Sequence, residues 1–91
     1  MNQRGIWQLI LMAREGDRQA ISELFYASFR PAYLTLLTFT DDKNAALDIL
    51  SEGYVDVFEH LDLIETAESF MFRLIEFTLR RARTCFRTAV N

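Results

Sequence analysis

Very little in this sequence can turn a chain sharply or lock it covalently. There are three glycines and one proline in 91 residues. A β-sandwich or barrel spends many residues on tight turns and carries more of both, so those architectures are excluded. Cys85 is the one cysteine, which rules out an internal disulfide and removes any need for an oxidising compartment. His60 is the one histidine, so no cluster of histidines can hold a metal, and no His–Cys–acid triad can be assembled beyond these single residues. The apolar run Ile6 to Ala13, broken by Gln8 and closed by Arg14, Glu15 and Gly16, is too short to span a membrane, and no small-residue cleavage site follows it. A cytoplasmic protein without catalytic activity, metal or cofactor is expected.

What is present favours helices. About half the residues are apolar, eight of them Phe, and Ala, Leu, Glu and Arg are abundant. That is enough to fill one helical core, and the length fits one small domain over residues 1–91. The formal charge is −3, but it is segregated: residues 41–68 hold nine acids against Lys43 alone, and residues 69–91 hold five arginines against Glu76 alone. Such a division sets an acidic surface beside a basic one and suits a protein with two different partners.

Hydrophobic spacing divides the chain into four helices. The first runs from about Ile6 to Glu15, with Ile6, Ile10 and Ala13 on one side, and Gly16 offers a left-handed C-cap. Asp17 can cap the second, Arg18 to Phe39, whose face begins Ile21, Leu24, Phe25, Ser28 and which should kink near Ala27 to Arg30 because of Pro31. Thr40, Asp41 and Asp42 supply N-cap chemistry for a third helix, Lys43 to Leu61, with a core stripe of Ala46, Ile49, Leu50, Gly53, Tyr54, Val57, Phe58 and Leu61. Beside that stripe runs an acidic one of Asp48, Glu52, Asp56 and Glu59. An acidic connector, Asp62 to Glu68, leads to a last helix capped by Thr66, Ala67 to Arg87, with an apolar stripe of Met71, Ile75, Leu79, Ala82 and Phe86. Arg73, Arg80 and Arg87 recur every seven residues on it, with Arg83 between.

The order and spacing of these pieces resemble region 2 of bacterial RNA polymerase sigma factors of the extracytoplasmic-function type. AREGDRQAISELF (Ala13 to Phe25) is similar to that family's opening, and Pro31 followed by Tyr33 and Leu36–Leu37 fits its second helix. DDKNAALDILSEGYVDVFEHLD (Asp41 to Asp62) resembles its polymerase-binding helix, with Ala46, Asp48, Ile49, Glu52, Tyr54 and Phe58 at matching places. The basic finish SFMFRLIEFTLRRARTCFR resembles the end of the region. The departures are Leu47 in place of an acid, Ser51 in place of Gln, Phe77 in place of Asn, the acidic connector, and the absence of the family's C-terminal helix-turn-helix domain.

The resemblance implies a transcription-initiation module with no catalytic role. Asp48, Ser51, Glu52, Val55 and Asp56 would meet the clamp helices of the polymerase β′ subunit, and Arg73, Arg80, Arg83 and Arg87 would contact promoter minus-ten DNA, weakly on their own. Phe70 and Phe72 stand near enough to wall a flipped base, or belong to the core. The other reading is a sigma-like adaptor or self-associating regulator with no DNA role. The plainer reading of the arginine face is that it pairs with Asp and Glu of the third helix and solvates the bundle. The aromatic load, including Tyr26, Phe29, Phe39, Phe70, Phe72 and Phe77, exceeds what four helices bury. An exposed aromatic patch is therefore expected, fit for an anti-sigma factor, a second domain or a second copy in a homodimer.

Overall fold

The computed structural model describes the backbone of residues 5–90 and the side chains of residues 5–83. Within them the chain is an all-α bundle of four helices: α1 (Ile6–Arg14), α2 (Arg18–Leu36), α3 (Lys43–Glu59) and α4 (Ala67–Val90), with a 3-10 turn at Leu61–Leu63. α1 packs mainly on α2, and α3 mainly on α4.

Each boundary has a chemical cause. Gly16 takes φ +89°, and the Gly16 and Asp17 amides donate to the Ala13 and Met12 carbonyls, closing α1 with a left-handed glycine cap. The Asp17 and Asp42 carboxylates accept from Ala20 N and Ala45 N, each at 3.1 Å, and so start α2 and α3. Thr66 and Ser69 bond reciprocally, Ser69 N to Thr66 Oγ1 at 3.1 Å and Thr66 N to Ser69 Oγ at 3.0 Å, a capping box at the head of α4.

Two helices end earlier than their hydrophobic spacing suggests. α2 stops at Leu36 rather than Phe39, because Thr38 and Phe39 donate to carbonyls three residues back and the Thr38 hydroxyl bonds the Thr35 carbonyl. α3 stops at Glu59, where His60 caps it, and Leu61 still reaches the core from the 3-10 turn. α2 is unbroken through Pro31. The bond that proline forgoes would run to the Ala27 carbonyl, and both residues are exposed, so water can take that acceptor.

The core collects Leu9 and Ile10 of α1, Ala20, Leu24, Ala32 and Leu36 of α2, Ala46, Leu50, Tyr54 and Val57 of α3, and Phe70 and Leu74 of α4. The α3 stripe is the predicted one, with Phe58 half-buried. Over most of its length the α4 stripe is displaced by one residue: Phe70, Leu74 and Thr78 are buried while Met71, Ile75 and Leu79 are half-buried on the flank; Ala82 is buried as expected, and Phe86 lies outside the described side chains. Ser28 and Thr78 are the buried polar residues among those described, and every buried side-chain polar atom there is hydrogen-bonded.

Candidate interaction surfaces

With its core stripe turned inward, α3 presents its acids outward. Asp48, Ser51, Glu52 and Val55 are all exposed on one side, and Val55 keeps 54% of its surface accessible. Asp56 does not join them in the open. It lies toward α4, where Arg81 grips it with two bonds, Nε to Oδ2 at 3.0 Å and Nη2 to Oδ1 at 2.9 Å. The same guanidinium reaches Glu52 Oε1 at 3.3 Å. The hydrogen bond from Arg81 holds the Asp56 carboxyl below the ordinary carboxylate range.

Arg81 does not belong to the basic stripe that the spacing of arginines picks out. Its place follows from which face of α4 turns inward, and that face sits one residue from the predicted one.

Arg73, Arg80 and Arg83 share one side of α4, the first two drawn to Glu76. Arg73 Nη1 lies 2.8 Å from Glu76 Oε1, and Arg80 Nη2 lies 3.7 Å from Oε2. Arg73 also stands over the Phe72 ring and Arg80 over the Phe77 ring, each 5.8 Å from the centroid. In the sequence Glu76 is only a lone acid in a basic segment, yet in the fold it partly neutralises both guanidiniums. Arg83 is exposed and has no ionic partner among the described residues. Arg87 lies outside the described side chains.

Depressions flank these arginines, and two of them adjoin Arg80. One, of about 400 Å³, runs along the outside of α4 between Phe72, Ile75, Leu79, Arg80 and Arg83. The second, of about 270 Å³, lies under the connector between Leu63, Ile64, His60, Phe77 and the Arg73–Glu76–Arg80 group. Of the two aromatics expected near a flipped base, Phe70 is in the core with 1% exposure and Phe72 stands out with 64%. Tyr26 and Phe39 are also exposed, and Phe29 and Phe77 are half-buried, so the aromatic surplus does reach the surface.

His60 Nδ1 sits 2.7 Å from the Asp56 carbonyl at the end of α3, a helix-terminus contact. Trp7 is half-buried with Arg14 over its ring. Among the described residues no group of three metal-ligating side chains converges, and no helix is long and apolar enough to cross a membrane.

No family model matches this chain, and no curated protein or solved structure is significantly similar to it.

Proposed function

We propose that this domain is a transcription-initiation module that docks on the β′ clamp helices of RNA polymerase through the outer face of α3. The observation carrying the proposal is that Asp48, Ser51, Glu52 and Val55 stand together, solvent-facing, on one well-capped helix. An acidic rim around an exposed aliphatic residue suits a basic helical partner, with charge steering the encounter and the apolar contact holding it. The resemblance of Asp41 to Asp62 to the polymerase-binding helix of sigma factors names that partner.

The test is binding to a purified β′ clamp-helix fragment, wild type beside Asp48→Ala/Glu52→Ala. The double variant should bind roughly tenfold more weakly, as expected when two steering charges at an interface are removed. Equal affinity for the two proteins overturns the proposal.

Promoter contact is the second half of this reading. It falls to Arg73, Arg80 and Arg83 and to the depression under the connector, which combines guanidiniums with the Phe77 and His60 rings. Each arginine withdrawn from a phosphate should lower the salt slope of DNA binding by about one unit. Arg80→Glu/Arg83→Glu should therefore reduce both affinity and slope in a protein that still folds.

A rival reading has its own support: a sigma-like adaptor with no DNA role. Glu76 occupies Arg73 and Arg80, Arg81 is spent on α3, and the connector is acidic, all of which weaken attraction to phosphate. Absence of DNA binding at low salt, with clamp binding intact, selects it.

A further inference from the structure

We infer that the outer face of α4 is a docking site for a second copy of this chain, received through the acidic face of that copy's α3. The α4 face has an apolar floor of Phe72, Ile75 and Leu79, continued by the exposed Phe39 at the end of α2 across a shallow depression of about 250 Å³ that shares Leu79 and Arg83. Arg80, Arg83 and Glu76 rim it, two cations to one acid. Exposed apolar side chains with a polar rim mark an interaction site, and the excess of cation in this rim favours acid in whatever covers it.

The chain carries such a surface itself. On α3, Asp48, Glu52 and Glu59 border Val55, with Leu47 exposed at the flank. Asp48 to Glu59 and Phe72 to Arg83 are both separations of eleven residues, about 16 Å of helix, so the two faces match in length as well as in charge. Pairing α4 with α4 across a two-fold axis is disfavoured by the same charges. Arg73, Arg80 and Arg83 outnumber Glu76 on that side, and symmetry would set the excess of one copy against that of the other. In the arrangement we infer, the α3-on-α4 contact is heterologous, one α3 face to one α4 face, so each added copy leaves one of each open. Its apolar content is small, so it is weak and salt-dependent. It also covers the α3 face proposed to meet polymerase, which makes self-association and clamp binding mutually exclusive.

Sedimentation of the full chain over a range of concentrations tests this without polymerase, so its failure leaves the clamp proposal standing. Wild type should associate beyond a dimer at low salt, and association should weaken roughly tenfold at high salt, where the Debye length is a few ångströms. Arg80→Glu/Arg83→Glu retains only the α3 face, and Asp48→Lys/Glu59→Lys retains only the α4 face. Each should be monomeric alone with an unchanged helical circular dichroism spectrum. An equal mixture should form a one-to-one complex that stops at two chains. A wild type that stays monomeric, an association indifferent to salt, or a mixture that fails to pair overturns the inference. So does a closed wild-type dimer that survives Asp48→Lys/Glu59→Lys, because that dimer does not use α3.

Discussion

Gly53 of α3 lies directly beneath Thr78 of α4. A β-carbon built at Gly53 would come within 2.9 Å of the Thr78 β-carbon and closer still to its hydroxyl oxygen. The threonine cannot easily turn aside, because it is fully buried and its hydroxyl donates to the Leu74 carbonyl at 2.7 Å. The missing side chain thus sets how closely α3 and α4 approach, and with it the reach of Arg81 to the α3 acids. Overpacking a filled core costs about 1–3 kcal/mol, while alanine gains about 1 kcal/mol over glycine in helix propensity. Gly53→Ala should therefore destabilise the domain by a net amount of up to about 2 kcal/mol in urea titrations. The same change in a Thr78→Ala background should cost less, with a coupling of about 1 kcal/mol between the sites. An additive double variant would show that the two residues do not limit the helix approach.

Tyr54 should report a different part of the core. The Ser28 hydroxyl donates to the Leu24 carbonyl at 2.7 Å and lies 2.6 Å from the Tyr54 hydroxyl, where either oxygen can supply the proton. Tyr54→Phe leaves Ser28 satisfied and should cost about 1 kcal/mol. Ser28→Ala strands a buried phenol with only the Phe25 carbonyl at 3.5 Å and should cost more. Burial pushes the Tyr54 hydroxyl above its ordinary value of 10.0, against a smaller lowering by the Ser28 hydrogen bond. Its folded pKa being the higher one, the unfolded chain ionises first, and this contribution to stability is lost as pH rises from about the ordinary tyrosine value through the folded one. Urea midpoints measured across that window should fall more steeply for wild type than for Tyr54→Phe; parallel curves would rule out the linkage.

The all-helical architecture and most of the caps were legible because they rest on local chemistry. Gly16, Asp17, Asp42 and Thr66 act within three or four residues of themselves. The α3 stripe was legible because its apolar and acidic positions separate cleanly around the helix. α4 was harder, because it offers apolar residues on both the 70–74 line and the 71–75–79 line. Its buried line includes Thr78, a residue that reads as polar until Gly53 explains why a small side chain is wanted there. That shift of one residue carries Arg81 onto the side facing α3 and leaves Leu79 half-buried on the flank. Exposure of Asp48, Ser51, Glu52 and Val55 followed from periodicity; capture of Asp56 required knowing which helix lies beside it.

Arg81 ought to compete with any cationic partner of α3. Its bond to Asp56 lowers that carboxyl's pKa, so the pair contributes stability that is present above the ordinary aspartate value of 3.8 and is lost as pH falls through the depressed one. Arg81→Met keeps the stem and removes the charge. In this variant the Asp56 carboxyl, followed by NMR titration, should return toward the ordinary range, and acid unfolding should begin at a higher pH. The freed Glu52 and Asp56 should strengthen binding to the clamp-helix fragment even as Asp48→Ala weakens it. If Arg81→Met weakens clamp binding instead, the guanidinium belongs to the docking surface rather than masking it.

Arg14 ties the end of α1 to the acidic connector. Its Nε donates to the Leu61 carbonyl at 3.0 Å, and Nη2 reaches the Ile64 carbonyl and, at 3.4 Å, that of Asp62. These carbonyls belong to the 3-10 turn and its exit; that of Leu61 also accepts from the Ile64 amide, and the guanidinium adds a charged donor to the set. The guanidinium is in turn held 5.5 Å above the Trp7 ring. Lysine can place a charge there but cannot bridge separated carbonyls with a planar fork. Arg14→Lys should therefore recover only part of what Arg14→Ala loses, the latter costing about 1.5–3 kcal/mol as charged hydrogen bonds do. The sharper measurement is amide hydrogen exchange. Protection should fall selectively at Leu63 and Ile64, whose amides bond within the turn, while Leu50 and Val57 in α3 keep theirs apart from the global change in stability. Uniform loss of protection would mean that Arg14 supports the whole bundle. Selective loss would mean that it fixes the connector, and so shapes the depression of His60, Phe77 and Arg80 beneath it.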